Sequence, residues 1–234
     1  MKTLAIDTSN FVMGVALVEE NKVIGEVITN LKKNHSIRLM KAIESLLADC
    51  DTLPKELDKI VVAEGPGSYT GVRIGVTVAK TLAWTLNIPL VGVSSLEIVA
   101  ANGRYFNGLI SPLFDARRQQ IFTGLYRFDN GQKLRNEEKD QLVINEQWAG
   151  KLKEYNESIL FIGNDIEAHK EILTSVLGEQ ALFASVSQYN PRPSELAFLG
   201  MQKEATPVHA FVPNYIRLAE AEANWLKAQE AKNE

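Results

Sequence analysis

Three stretches of the sequence carry residue types that could do chemistry. The first is GPGSYTGVRIG at 65–75, where Gly65, Gly67, Gly71 and Gly75 surround Ser68, Thr70 and Arg73 at the mouth of an apolar run. A loop of this kind can turn free helix N–H groups and a guanidinium toward an anion, with Ser68 or Thr70 as the cap. It is not a Walker loop, because the lysine and neighbouring hydroxyl of G-x-x-x-x-G-K-[ST] are missing, and its G-x-G-x-x-x-G spacing is not the dinucleotide fingerprint. A plain strand-to-helix elbow therefore stands beside the anion reading. The second stretch, Asp7-Thr8-Ser9, closes the first apolar run. A carboxylate there can orient magnesium-bound water while loop amides meet phosphate oxygens. The third, Asp115-Ala116-Arg117-Arg118, sets two guanidiniums beside a carboxylate. That group can hold a phosphate or a partner carboxylate bidentately, or form a charged turn between strands.

Nothing else has catalytic spacing. His35, His169 and His209 lie far apart, and the chain has no H-E-x-x-H, no zinc spacing and no G-x-S-x-G elbow. No catalytic residue and no metal ligand set is read. The one cysteine, Cys50, excludes an intrachain disulfide and reads as a small core residue suited to a reducing compartment.

The elements that must position these residues follow from periodicity. The chain has 234 residues, 45% hydrophobic and 23% charged, enough for one large core or two modest ones. Its formal net charge of −4, with basic pairs isolated at 32–33 and 117–118, disfavours unaided nucleic-acid binding. No signal-peptide core or membrane span is read, so the expected setting is the cytoplasm. Strands are expected at 2–7, 11–19 and 23–29, a helix at 36–49, a strand at 60–63, the glycine loop and a helix to 86, then a strand at 89–93. This β-β-β-α-β-α-β order is that of the first lobe of actin-like, ribonuclease-H-like folds, and it predicts an α/β chain with a second lobe of mixed sheet. The expected division is 1–105 and 106–215, the latter with strands at 109–114, 120–128 and 159–162 and helices at 146–154, 167–177 and 194–204. A charged helix at about 216–232 is expected to return to the first lobe through Leu218 and Trp225.

The helix after the glycine loop is apolar nearly all round, so it must be buried on more than one side. Gly71, Gly75, Ala79 and Ala83 recur every four residues and form a ridge of small side chains that another backbone can approach. The ridge is open to the neighbouring helix or to another chain.

The segments LAIDTS (4–9), NHS (34–36), GPGSYTGVRIGV (65–76), IPLVGVSSLE (88–97), DARR (115–118) and PNYIRLAEAE (213–222) together resemble the TsaB family, also called YeaZ, from Met1 to about residue 222. The resemblance implies a two-lobed actin-like (ASKHA) clamp. It also implies a noncatalytic accessory subunit for synthesis of threonylcarbamoyladenosine beside the tRNA anticodon. Its partners would be a TsaD-type paralogue, which transfers the threonylcarbamoyl group, and a TsaE-type ATPase. The tRNA would be met through the complex, and the isolated chain would be a homodimer. No cofactor of its own is implied, and the complex has room for ATP or ADP, held by this chain or at the shared interface. TsaD-type chains carry an H-x-x-x-H metal motif where this chain has Ser95 and Val99. By resemblance the partner interface is a four-helix contact through Ile37, Met40, Ile43, Leu47, Gly71, Gly75, Ala79, Leu82 and Ala83, in which Ala79→Arg would break assembly and leave the fold. The nucleotide or anion contacts of a degraded clamp would be Asp7, Thr8, Ser9, Ser68, Thr70, Arg73, Asp115 and Arg117. The competing reading is a stand-alone actin-like small-molecule kinase or ATPase. Proteolysis, implied by the older name glycoprotease, is opposed by the missing motifs.

Overall fold

The computed structural model describes residues 1–129 and 133–216. The expected helix at about 216–232, with Leu218 and Trp225, lies outside the described residues apart from its first position. The first sheet is built from β1 (Lys2–Asp7), β2 (Val12–Glu19), β3 (Lys22–Asn30), β4 (Lys59–Ala63) and β5 (Leu90–Val93), in the order β3-β2-β1-β4-β5. The central strand of the first three, β2, runs antiparallel to both β1 and β3, while β4 and β5 add in parallel to β1, as crossover helices require. Those crossovers are α1 (His35–Asp49) and α2 (Tyr69–Leu86).

The second sheet repeats the plan. It contains β6 (Leu109–Asp115), β7 (Gln120–Asp129), β8 (Lys133–Ile144), β9 (Ile159–Ile162) and β10 (Ala181–Phe183), ordered β10-β9-β6-β7-β8. Here too the first three strands are antiparallel neighbours and the last two are parallel additions. Sequence reading misses β8 and β10. The first, KLRNEEKDQLVI, is charged along most of its length and shows little apolar alternation, and the second is three residues long.

Alternation along the first-sheet strands separates two cores. Leu4, Ile6, Ile60 and Val62 face α1 and α2, whose Leu39, Ile43, Leu46, Val72 and Val76 cover them. Ala5, Ala16, Val61, Ala63 and Val91 face the opposite way, against α3 (Ser95–Ala101) and α6 (Pro193–Met201) through Ile98, Leu196 and Ala197. Leu96 and Val99 of α3 join the second-sheet core. On the far side of that sheet lie α4 (Asn145–Lys153) and α5 (Lys170–Leu177), where Trp148 Nε1 donates to Ser111 Oγ at 2.9 Å. The layers therefore run helix, sheet, helix, sheet, helix.

The structure departs from the sequence reading at four points. The 193–201 helix, expected in the second lobe, packs on the first sheet, because the small residues of that face and Gly200, set against Val61, admit a helix at close range. The small ridge of α2 does not face a partner. Ala79 and Ala83 are 0% exposed, in the core beneath the helix, and α2 has an exposed side carrying Arg73, Thr77, Thr81 and Thr85. Finally, α3 was not read from the sequence, being only 7 residues long. Cys50, expected in the core, is half-buried at the end of α1.

Ala79→Arg must then push a charge into the core between α2 and the first sheet. We expect it to cost at least about 3 kcal/mol in urea unfolding, whereas Thr81→Arg on the exposed side stays within about 0.5 kcal/mol of wild type. Equal midpoints for both variants would contradict this placement of the ridge.

Candidate functional site

The end of β1 carries Asp7, which is 1% exposed. Its Oδ1 accepts from Ser9 N at 2.8 Å and from Ser9 Oγ at 2.7 Å. These bonds curl residues 7–9 into a tight turn that is pressed onto the start of α2. Ser68 N donates to Ser9 O at 2.7 Å, and Thr8 Oγ1 donates to Gly71 O at 2.7 Å. A β-carbon at Gly67 would collide with the Ser9 carbonyl, and one at Gly71 with the Thr8 carbonyl. The glycine loop is therefore a socket for the backbone of Thr8 and Ser9. Ser68 caps the helix by accepting from Gly71 N at 3.3 Å.

This arrangement corrects the anion reading. The mouth of α2 is filled by the protein's own carbonyls, Thr8 and Ser9 are buried, and Thr70 is exposed without a capping role. Arg73 is engaged elsewhere: its Nε donates to Tyr215 Oη at 2.6 Å, and its guanidinium lies 4.0 Å from the Tyr69 ring centroid. Asp7 Oδ2 has no hydrogen-bond partner, and burial raises the carboxyl above its ordinary value despite the two bonds from Ser9. Beside it, His35 Nε2 donates to Asn10 O at 2.8 Å, tying the first residue of α1 to the same turn.

Asp115 occupies the matching position at the end of β6, and here the surroundings are open. His169 is buried, and Asn145 Nδ2 donates to its Nδ1 at 2.9 Å, which leaves the Nε2–H to donate to Asp115 Oδ1 at 3.1 Å. Arg117 N donates to the same oxygen at 3.2 Å, and Asp115 N donates to Asp165 Oδ2 at 3.0 Å. Burial raises the Asp165 carboxyl above its ordinary value. The chain then passes through three successive left-handed residues, Arg117 (φ 64°), Arg118 (φ 53°) and Gln119 (φ 60°). Each costs an L-residue about 1–2 kcal/mol, so the turn persists because its neighbours fix it. Gln119 O accepts from Asn145 N at 2.9 Å, and Arg117 O accepts from Gln120 N at 3.0 Å. The structure thus brings Asp115 and Arg117 into one exposed turn and separates them from the sealed group of Asp7, Thr8 and Ser9.

A third cluster was not found from the sequence. Asp140 of β8 accepts from Ser94 Oγ, at the cap of α3, and from Tyr126 Oη. Glu64 folds over Gly92, and Asp140 over Gly124, positions where any β-carbon would strike the carboxylates. Lys203 Nζ lies 2.5 Å from Glu97 Oε2 at the edge of this group. Burial raises both Glu64 and Asp140. Gly92 and Gly124 inside apolar strands were the available signal, since glycine in a strand marks close approach by another group. The cluster bolts the two sheets together through Ser94 and Asp140.

The proposed interface residues divide by exposure. On α1, Ile37 is 76% and Met40 49% exposed, and Trp84 of α2 is 66% exposed. Ile43 and Leu47 are buried in the chain's own core, as are Gly71, Gly75, Ala79 and Ala83, while Leu82 is half-buried. Among the described residues no group of three or more His, Cys, Asp or Glu could hold a metal ion, and no helix is long and apolar enough to cross a membrane.

Two sheets of one ribonuclease-H-like order, enclosing a shared helical layer, define an actin-like clamp, here with its first site filled by its own backbone. The family model described as TsaD, tRNA N6-adenosine threonylcarbamoyltransferase, matches residues 22–225. The tRNA threonylcarbamoyladenosine biosynthesis protein TsaB of Bacillus subtilis (strain 168) is 59% identical over 98% of this chain and 100% of its own length. The chain belongs to this family, on its TsaB branch. A solved structure of YeaZ from Pseudomonas aeruginosa shares the fold, with a TM-score of 0.76 and 23% identity over 92% of this chain and 99% of that one. A second, of an uncharacterized Pseudomonas aeruginosa protein described as similar to peptidase YEAZ, gives 0.77 and 25% identity over the same shares.

The sealed carboxylate gives a pH test. Because the folded Asp7 holds its proton more tightly, its contribution to stability is full below the ordinary value of about 3.9 and is lost as pH rises through the raised value. Asp7→Asn keeps an oxygen for the Ser9 bonds and has no charge to desolvate. It should be about 1–3 kcal/mol more stable than wild type in denaturant at pH 7, with the advantage shrinking toward pH 3. A pH-independent difference would mean that Asp7 is not the buried acid described.

Proposed function

We propose that this chain is a noncatalytic accessory subunit in the synthesis of threonylcarbamoyladenosine beside the tRNA anticodon. The observation that carries this reading is the match, over nearly its whole length, to a relative named for that biosynthesis. Physical reasons favour an accessory role over catalysis. The carboxylate that would serve a phosphate-handling clamp is sealed at Asp7, and the α3 positions that carry histidines in TsaD-type chains are Ser95 and Val99, both buried between the sheets. Its own part is then to bind and activate a TsaD-type transferase, together with a TsaE-type ATPase, in the cytoplasm. It uses no cofactor of its own, and ATP or ADP enters with the complex.

The docking surface differs from the small ridge expected from sequence. We assign it to the outward sides of α1 and α2, where Ile37, Met40 and Trp84 leave apolar area in water. Covering those side chains gains free energy in proportion to area, so a paralogue or, without it, a second copy of this chain would be drawn to the same place.

Two measurements follow. Unmodified tRNA, threonine, bicarbonate and ATP are incubated with the adenylate-forming enzyme, the TsaD-type and the TsaE-type proteins, with and without this chain. The modified nucleoside, read by mass spectrometry, should require the chain, and equal product without it would overturn the reading. Separately, I37E/M40E should keep the wild-type melting temperature within about 2 °C, since both side chains already meet water. It should also weaken copurification with the paralogue at least about tenfold, and undiminished copurification would place the interface elsewhere.

A further inference from the structure

The repeated sheet plan gives the chain two equivalent strand ends, each closed by an aspartate, at the point where the antiparallel and parallel halves of a sheet meet. Ligands of open α/β sheets collect outside the carboxyl ends of strands at such points. In the first sheet the position is plugged by Thr8 and Ser9 seated on Gly67 and Gly71. In the second it is open, and the side chain of Asp115 is 37% exposed.

The arginines at this open end are unlike the rest. Among the described residues, Arg38, Arg73, Arg104, Arg127, Arg135 and Arg192 each meet an oxygen of another side chain. Arg117 and Arg118 are exposed, and no hydrogen bond or ion pair joins either guanidinium to another described residue. Among the described residues, therefore, these two do not form the internal ion pair that is the plain reading of a charged turn. Asp165 binds Asp115 N and Glu167 lies 3.6 Å from Lys170 Nζ, so neither of these acids pairs with the two arginines. Asp115 itself is held on one oxygen by His169 and Arg117 N, while its Oδ2 has no hydrogen bond among the described residues. The turn thus offers two free cations and one fixed acceptor, on a backbone whose left-handed residues are anchored by Asn145 and Gln120.

A matching partner must bring anions and a hydrogen-bond donor together. An acidic peptide brings carboxylates for the arginines, but its acidic side chains offer Asp115 no donor, which leaves only backbone N–H groups to meet it. A ribose–phosphate chain brings both, since phosphodiester oxygens take guanidiniums and the 2′-hydroxyl donates to a carboxylate. We propose that the 115–118 turn is this chain's contact with the backbone of the tRNA, Arg117 and Arg118 holding phosphates and Asp115 a ribose hydroxyl. The inference rests on the accessory role argued above. It needs the assembled complex, because two phosphate contacts on a chain of net charge −4 give little affinity alone.

The test uses the complete modification system with tRNA titrated. R117N/R118N removes both charges and retains a residue type that accepts the left-handed backbone. We expect KM for tRNA to rise about tenfold or more, with copurification of the paralogue at the wild-type level. Two lost phosphate contacts should also make the slope of log KM against log salt shallower by about 1.5. R117K/R118K should recover most of the salt slope. In the wild-type complex, photocrosslinking of tRNA carrying 4-thiouridine should label a peptide containing 115–118, which tests the contact without any variant. An unchanged KM with crosslinks only elsewhere overturns the proposal. Loss of paralogue copurification with tRNA crosslinks only elsewhere also overturns it and assigns the turn to a protein partner. Product that forms equally without the chain overturns the accessory role itself, a result distinct from both.

Discussion

The docking of one short turn onto one helix start underlies the first half of the molecule. The carbonyls of Thr8 and Ser9 come so close to α2 that only glycine fits at positions 67 and 71. Glycine in a helix costs roughly 0.5–1 kcal/mol relative to alanine, so Gly71 and Gly75 weaken α2 locally. That cost is outweighed by what the approach permits: Ser68 N and Gly71 O find partners in the turn, and Val72 and Val76 reach the sheet below. The same contact seals the carboxylate at the end of β1. Seating the helix and closing the first clamp site are one event.

The middle helical layer explains why the two sheets behave as one body. α3 puts Ile98 toward the first sheet and Leu96 and Val99 toward the second, so neither core is complete without it. Ser94 at its start reaches Asp140 across the joint, with Tyr126 on the other carboxylate oxygen. Glu64 and Asp140 are held in part-buried space, which favours their protonated forms and places an acid-dependent element in the joint itself.

Much of the first sheet and its two outer helices is legible in the sequence, because their apolar periodicities are long and the Ser68 cap is of the expected type. The second sheet is legible only in part. Half of the β8 residues are charged, and its place is decided by pairing with β7 and by the contacts of Asp140, neither of which leaves a periodic signal. For the candidate site, residue types were a good guide and orientation was not. A ridge of small side chains states that something comes close, but whether sheet or partner is a tertiary matter, and on α2 it was the sheet. The pair Arg117 and Arg118 was visible as chemistry, yet its lack of internal partners and its left-handed backbone belong to the folded state alone.

The path of the chain carries a consequence for synthesis. α6 covers the inner face of the first sheet, and the segment after it crosses the flank of α2, where Lys80 Nζ donates to Phe211 O at 2.7 Å and Asn214 N donates to Glu64 O at 2.7 Å. A ribosome makes the strands of that sheet first and their cover last, with the whole second sheet between. Until residues 193–214 emerge, Ala5, Val61 and Val91 lack their final covering, and contacts of such long sequence separation form slowly. While the second sheet is being made, the inner face of the first therefore stays short of one of its two helical covers.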